Sequence, residues 1–245
     1  MGGLNLLISG IAERMADGFM GLVADIKEFL FPRTCPGCGS GLKEGEHAVC
    51  LSCLLEMPMT GFHAYPQNNP LFLRLAGRVQ LEGASALYFF EKKGRLKRVV
   101  SDLKYRKNPQ IGYELGKLAA ECMGRNEWVN AWEAVIPVPL HKRRVAHRGY
   151  NQSERFAAGL AEVLGIPLYS DRLVRLQHTS TQTQKGKNER WDNVEHAFIL
   201  KGVLPSHVLL VDDIVTTGAT TEACIRTLQS HGPQKVSLMA LAIAR

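Results

Sequence analysis

VLLVDDIVTTGATT, residues 208–221, is the stretch that decides the fold of this 245-residue chain. Its first eight residues are apolar except for two adjacent aspartates, and this apolar run is too short for a helix. Such a run is typical of a buried parallel strand. A loop of threonine and glycine follows, and the segment ATTEACIRTLQSHG predicts a helix that ends at Gly232. Strand, loop and helix in this order are the repeating unit of a parallel α/β sheet.

Strands and helices alternate along the rest of the chain. Further strands are predicted within 86–91, 134–140, 166–176 and 235–244. Helices are predicted over about 94–106, about 111–125 and 151–165, the last with Asn151 as its N-cap. The fold class is therefore α/β, a parallel sheet with helices on both faces.

The residue types at 212–220 favour an anionic sugar as ligand. Ligands of parallel sheets lie at the carboxyl ends of the strands, and a helix N-terminus offers free amides to a phosphate. Asp212 and Asp213 could accept hydrogen bonds from ribose hydroxyls or hold a hydrated Mg2+, and Gly218 would let a phosphate approach the backbone. An ordinary strand–turn–helix is the alternative, but it explains two adjacent, mutually repelling carboxylates poorly. The pattern favours a ribose 5-phosphate.

The same stretch closely resembles the phosphoribosyl pyrophosphate (PRPP) motif of type I phosphoribosyltransferases. Four apolar residues, two acids, two apolar residues and Thr-x-Gly-x-Thr are all present. The resemblance implies that Asp212 and Asp213 are the catalytic acids and bind the ribose of Mg2+–PRPP. It also implies a phosphate loop, which binds the 5-phosphate and comprises Thr216, Thr217, Gly218, Ala219 and Thr220.

Other segments are similar to the ComF family, whose members include ComF, ComFC and GntX-like proteins. The segments are VIPVPL at 135–140, RGYNQ at 148–152 and LKY at 103–105. Further matching residues are Arg175, Thr179, Thr181, Gln184, Arg190 and Asn193. The resemblance covers about residues 31–245. It implies a four-cysteine zinc module before a phosphoribosyltransferase-like domain, and a link to DNA uptake or DNA use.

Two CxxC pairs, Cys35/Cys38 and Cys50/Cys53, stand eleven residues apart. Two such knuckles supply the four thiolates of a closed, structural zinc site, which leaves no position for a reactive water. The N-terminus lacks the basic leader of a secretion signal, so we expect a cytoplasmic protein in which disulfides are disfavoured. An iron–sulfur or redox site is the remaining alternative.

The chain divides into three predicted parts. Residues 1–30 carry apolar residues at steps of three or four and predict an amphipathic helix; 31–60 form the zinc ribbon, and 61–245 the phosphoribosyltransferase-like domain. No run of 18 apolar residues occurs, so no transmembrane segment is expected.

Basic charge is concentrated in three places. The net charge is +7, yet residues 91–110, 141–155 and 172–190 hold 18 of the 30 lysines and arginines and only 4 of the 23 acids. This clustering favours a polyanionic ligand, either a phosphorylated small molecule or a nucleic acid or both, over mere solubility.

Several basic residues are candidates for holding pyrophosphate. Residues 177–194 are similar to the mobile lid of phosphoribosyltransferases, although a solvated basic loop is the alternative. The candidates for the pyrophosphate or lid role are Lys104, Arg144, Arg148, Lys185 and Arg190.

Two functions remain open from the sequence. One is an enzyme, a glycosyltransferase that transfers the phosphoribosyl group and releases pyrophosphate. The other is a non-catalytic protein that senses PRPP or binds single-stranded DNA in DNA import, with other DNA-uptake proteins as partners. Aromatic residues that could stack on bases are Tyr88, Phe89, Phe90, Tyr105, Tyr150 and Trp191.

Overall fold

The fold is taken from a computed structural model that describes residues 33–176, 197–233 and 235–245. Its helices are α1 (Leu51–Glu56), α2 (Pro70–Ala76), α3 (Arg95–Tyr105), α4 (Pro109–Met123), α5 (Glu127–Asn130), α6 (Lys142–Arg148), α7 (Gln152–Leu164) and α8 (Ala219–His231). Its strands are β1 (Gly83–Phe90), β2 (Ala134–Pro137), β3 (Leu173–Arg175), β4 (Phe198–Leu200), β5 (His207–Val215) and β6 (Lys235–Ala244). The predicted helix within 1–30 lies outside the described residues, as does the whole predicted lid, 177–194, with Lys185 and Arg190.

Four strands form one parallel sheet in the order β1-β6-β5-β2. β5, which carries the two aspartates, lies between β6 and β2, with Asp212 opposite Ala240 of β6. The α/β prediction is confirmed. Within the segment 166–176, where a short strand is predicted, Leu168 forms a parallel bridge with Val135 of β2 at the edge of this sheet, and β3 pairs antiparallel with β4.

The side chains of β5 alternate between two apolar layers, as a strand period of two requires. Leu209 and Val211 pack in the layer that contains α4 and α7, whereas Val208 and Leu210 pack in the layer that contains α2 and α8. All four are fully buried. Helices on both faces of the sheet thus fix the position of the strand end that carries the aspartates.

Helix α7 begins beside that strand end and packs closely against α4. The Asn151 side chain caps it by accepting from the Ser153 amide, as predicted. α4 and α7 pack at glycines: a Cβ at Gly116 would lie 2.1 Å from the Phe156 carbonyl oxygen, and one at Gly159 would lie 2.0 Å from a carbonyl of α4. Only glycine permits so close an approach of two helices.

Two helices lie where the sequence predicted no helix. α6 occupies the segment after β2, and Gly149 ends it in the left-handed conformation (φ 87°). α2 lies within 61–85, with Asn69 as its N-cap. Both helices have seven residues, too few for their apolar period to stand out in the sequence.

The segment with the four cysteines, residues 33–60, is here called the cysteine module. Its buried residues Cys35, Val49 and Cys53 belong to the same apolar cluster as Val99 of α3 and Leu115 of α4. The module therefore shares a core with the α/β sheet. Within the described ranges no helix has the length and apolarity to cross a membrane.

Candidate functional site

The four predicted cysteine ligands lie together. The sulfur atoms of Cys35, Cys38, Cys50 and Cys53 are all within 4.8 Å of one another, and no other cluster of this kind is found among the described residues. The Cys38 and Cys50 sulfurs are 3.6 Å apart. That is close to the edge, about 3.8 Å, of a tetrahedron with 2.3 Å zinc–sulfur bonds, and far from a disulfide length.

Neighbouring groups support these thiols as metal ligands. The amides of Cys50 and Cys53 donate to the sulfurs of Cys35 and Cys50, each at 3.4 Å. Burial raises the pKa of the Cys53 thiol to about 12, whereas hydrogen bonds from Ser40 lower the pKa of the exposed Cys38 thiol to about 6. A buried set of thiols becomes stable as thiolates only with a cation among them, so the residues present fit a metal ion and are consistent with zinc.

The second site forms at the carboxyl end of β5, around Asp212. This side chain is 7% exposed. Its Oδ2 accepts from the Thr221 hydroxyl at 2.9 Å, and its Oδ1 accepts from the Asp213 amide at 2.8 Å and from the Ser153 hydroxyl at 3.4 Å. Burial, and then the neighbouring charge of Asp213, raise the pKa of Asp212 to about 7. The carboxyl group is thus held by donors that favour its charged form in surroundings that oppose it.

Asp213 is more accessible and is neutralised by a lysine. Lys104, at the end of α3, places its Nζ 2.5 Å from Asp213 Oδ2, and both side chains are about one-fifth exposed. The other oxygen of Asp213 accepts from the Ile214 amide at 2.6 Å. The pairing balances one of the two negative charges and explains how adjacent carboxylates can coexist there.

Both aspartates line a cavity of about 220 Å³, here called the carboxylate cavity. Its polar lining, in chain order, is Lys104, Arg144, Arg148, Asn151, Gln152, Ser153, Arg175, Asp212, Asp213 and Thr220. Three of the predicted basic candidates therefore meet the predicted acids. A larger cavity of about 560 Å³ lies between the cysteine module and α4, but it contains neither the acids nor the phosphate loop, so its size alone does not make it the site.

The phosphate loop, residues 216–220, joins β5 to α8 with Thr220 at the cavity wall. Two arginines from the region of α2 hold its carbonyls from the outside. Arg74 donates to the Thr216 oxygen, and Arg78 donates to the Thr217 oxygen at 3.1 Å and pairs with Glu222 of α8 at 2.7 Å. These contacts fix the loop against α2.

Gly218 is required at this loop for two structural reasons. Its φ of +83° is a left-handed conformation, and a Cβ would lie 2.8 Å from Leu75 Cδ2. The sequence predicted this glycine for close approach of a phosphate. That role stays a prediction, and the structure adds that the loop rests on α2 at this glycine.

Several site residues were missed as such from the sequence. Ser153 and Thr221 hold Asp212, and Arg175 lines the cavity, although none of them was assigned a role at the carboxylates. Thr221 is the third residue of α8, where the first turn of the helix returns its hydroxyl to the strand end. Nothing local in the sequence marks Ser153, because its contact with Asp212 spans 59 residues.

Comparison with known proteins supports these assignments of fold. Residues 151–245 match the model of the phosphoribosyl transferase domain family. The chain is 35% identical over 131 residues to Competence protein F of Haemophilus influenzae, and 31% identical over 150 residues to DNA utilization protein YhgH of Salmonella typhimurium. It is 36% identical over 107 residues to Competence protein ComFC of Streptococcus pneumoniae.

These alignments are partial. They include 52%, 60% and 43% of this chain, in the same order, and 57%, 66% and 46% of the relatives. The chain thus spans about half to two-thirds of the length of the curated relatives that it matches.

Proposed function

Because this chain belongs to the ComF family, we propose that its carboxylate cavity binds PRPP with Mg2+ and that the protein transfers the phosphoribosyl group, releasing pyrophosphate. The names of its relatives, competence protein and DNA utilization protein, support a role in DNA uptake or DNA use. Other DNA-uptake proteins are the partners such a role requires. We further propose that the cysteine module holds one structural Zn2+.

One observation carries the proposal for PRPP. Two carboxylates at the end of a buried strand face four cations in one cavity, at the start of the 13-residue helix α8. The four cations are Lys104, Arg144, Arg148 and Arg175. PRPP needs this combination, because its ribose offers hydroxyl groups and its phosphates offer negative charge.

The arrangement suits a reaction that develops positive charge on the sugar. Asp212 and Asp213 would accept from the ribose hydroxyls or hold hydrated Mg2+, and the loop amides would donate to the 5-phosphate. Mg2+, when bound, would neutralise the pyrophosphate oxygens. Arg144, Arg148 and Arg175 lie where they could stabilise the charge on departing pyrophosphate. Such stabilisation requires no covalent nucleophile on the protein.

Calorimetry with Mg2+ and PRPP tests this function. We expect wild-type protein to bind and Asp213→Asn to bind at least about tenfold more weakly, because a charged hydrogen bond contributes about 1.5–3 kcal/mol. Asp171→Asn is the matched control, since that carboxylate is 87% exposed and lies outside the cavity lining. Absence of binding by the wild type, or equal binding by Asp213→Asn, would refute the proposal.

A second candidate function, binding of single-stranded DNA, rests on a different observation. A cavity of about 480 Å³ adjoins the carboxylate cavity, shares Arg175 with it and adds Lys142 and Arg155. Tyr105 is 65% exposed, and the guanidinium of Arg148, which lines the carboxylate cavity, is 5.3 Å from its ring centre. An exposed aromatic ring among cations is the arrangement that single-stranded nucleic acids use for stacking.

Two of the other aromatic candidates, Tyr88 and Tyr150, are less suited to stacking. Tyr88 is fully buried, the Tyr150 hydroxyl donates to the Leu103 carbonyl, and Trp191 lies outside the described residues. If single-stranded DNA binds, Tyr105→Ala should weaken binding about fivefold or more, and affinity should fall steeply with salt. Affinity that does not change with salt, or that Tyr105→Ala leaves intact, would exclude this second function.

A further inference from the structure

Helix α3 touches both sites of the molecule, one at each end. Its apolar face is buried through Leu96, Val99, Val100 and Leu103, which fixes the helix in the core. Its polar residues then project toward the cysteine module at the N-terminal end and toward the aspartates at the C-terminal end. Arg95 and Lys104 are nine residues apart, or about 14 Å along the helix axis.

Two arginines at the N-terminal end of α3 contact the cysteine module. Arg95 donates from Nη1 to the Cys53 sulfur at 3.1 Å and pairs through Nη2 with Glu56 at 2.7 Å. Arg98 donates from Nε to the carbonyl oxygen of Gly37, inside the first knuckle, at 2.7 Å. One arginine thus contacts each of the two CxxC knuckles. A donor to a ligating sulfur is a contact that helps both to orient that ligand and to retain the metal.

The C-terminal end of α3 supplies the cation that pairs with Asp213 in the carboxylate cavity. Lys104 pairs with Asp213, and the Leu103 carbonyl accepts from Tyr150, next to the start of α7. Arg148 lies over the ring of Tyr105. A small shift or rotation of α3 would therefore change the position of the lysine that balances the aspartates.

We propose that α3 couples metal occupancy of the cysteine module to the carboxylate cavity, with Arg95 and Arg98 as positioning residues that hold Lys104 against Asp213. With metal bound, the knuckles are fixed and anchor both arginines. Without metal, the knuckles hold Arg95 and Arg98 less rigidly, so Lys104 is held less firmly against Asp213. Because coupling between sites is reciprocal, a ligand that requires the ordered cavity also strengthens metal retention. The part of this coupling that concerns PRPP rests on the proposed function.

Hydrogen exchange tests the coupling without any substrate. The amides of Asp213 and Ile214 donate to the two site carboxylates, so their exchange reports on the order of this strand end. In Arg95→Met we expect these amides to exchange at least about fivefold faster than in wild type, the lower end of typical site-to-site coupling. The Leu210 amide, in the middle of β5, should be unchanged. Faster exchange at Leu210 as well would mean general destabilisation and would overturn the proposal.

Further variants identify the route. Arg106→Gln is the matched control, because Arg106 follows the same helix, is 79% exposed and, among the described residues, pairs only with Asp102 of α3. In a Lys104→Met background, Arg95→Met should not further speed the exchange of the Asp213 and Ile214 amides, because the ion pair between Lys104 and Asp213 is already absent. If Arg95→Met speeds exchange by the same factor with and without Lys104→Met, the coupling does not run through Lys104. If Arg95→Met does not fold, Arg98→Met is measured in the same way, since Arg98 contacts a carbonyl and not a thiolate.

Two more measurements separate this inference from the proposed function. Elemental analysis and the rate of zinc release to a chromogenic chelator should show faster release in Arg95→Met. Calorimetry should show weaker Mg2+–PRPP binding in the same variant. If the wild type binds no PRPP, the proposed function fails, but the hydrogen-exchange result still decides the coupling. If the amides of Asp213 and Ile214 exchange at the same rate in zinc-depleted and in zinc-loaded wild-type protein, the proposed coupling is overturned.

Discussion

The cysteine module and the carboxylate cavity are built in opposite ways. The module draws its four sulfurs from 19 consecutive residues, Cys35 to Cys53, and encloses them so that three of the four are buried. The cavity draws its charged groups from four elements, α3, α6, β3 and β5, scattered between Lys104 and Asp213, and it opens to solvent. A closed set of four identical ligands suits a structural metal, whereas an open cavity with both signs of charge suits a ligand that enters and leaves.

The largest expected effect comes from breaking the module at its most buried ligand. Cys53→Ser should lose the metal and lower the midpoint of thermal unfolding by well over 10 °C, because metal binding in such modules contributes about 10 kcal/mol or more. Cys38→Ser should have a smaller effect, since Cys38 is exposed, whereas Cys53 is buried and accepts a hydrogen bond from Arg95. Elemental analysis and thermal unfolding of both variants measure the difference. If the two variants lose metal and thermal stability to the same extent, burial does not determine how much each ligand contributes.

A medium effect is expected at the loop of the open site. Gly218→Ala places a Cβ in a left-handed conformation and 2.8 Å from Leu75. This should cost about 1–2 kcal/mol and lower the unfolding midpoint by roughly 2–8 °C. Gly45→Ala is the control, since Gly45 has a similar φ of +81° but no atom within 4 Å of the added Cβ. A loss no greater than that of the control would mean that α2 does not restrain the phosphate loop.

The smallest effect, and the most selective, concerns the protonation of Asp212. Thr221→Val keeps the shape of the side chain but removes a donor to the carboxylate, so the pKa of Asp212 should rise further above about 7. Mg2+–PRPP binding needs the charged form, so affinity should fall as pH drops through the pKa. The variant should bind up to about tenfold more weakly at pH 7 and like wild type at pH 9.

That pH dependence distinguishes two roles of Thr221. A loss of affinity that is the same at pH 7 and pH 9 would mean that Thr221 shapes the loop instead of tuning the carboxyl group. Calorimetry at several pH values, with buffers of different ionisation enthalpy, also counts the protons released on binding.

The long strands and helices of this fold could be predicted, because their apolar periods extend over enough residues. β5, β6, α3, α4 and α7 lie where the sequence placed them, to within a few residues. α2 and α6 were missed, since a seven-residue helix has too few turns to show a period. The pairing of β3 with β4 depends on chain that is distant in sequence and was also missed.

The sites divide in the same way. The cysteine cluster was predictable in full, because metal-ligand spacing is local. The two aspartates were found from strand and loop residues that are adjacent in sequence, but their partners Ser153 and Lys104 reach them from elements 59 and 109 residues away. The contacts of Arg95 and Arg98 with the module likewise join segments that only the folded sheet brings together.

The most direct test of the proposed site is a crystal structure of the protein with Mg2+ and PRPP. We expect the 5-phosphate on the amides of residues 216–220, the ribose hydroxyls at Asp212 and Asp213, and pyrophosphate against the cavity arginines. We also expect Lys104 to remain within reach of Asp213. PRPP bound elsewhere, or a cavity that stays empty at saturating ligand, would contradict the assignment of this cavity as the PRPP site.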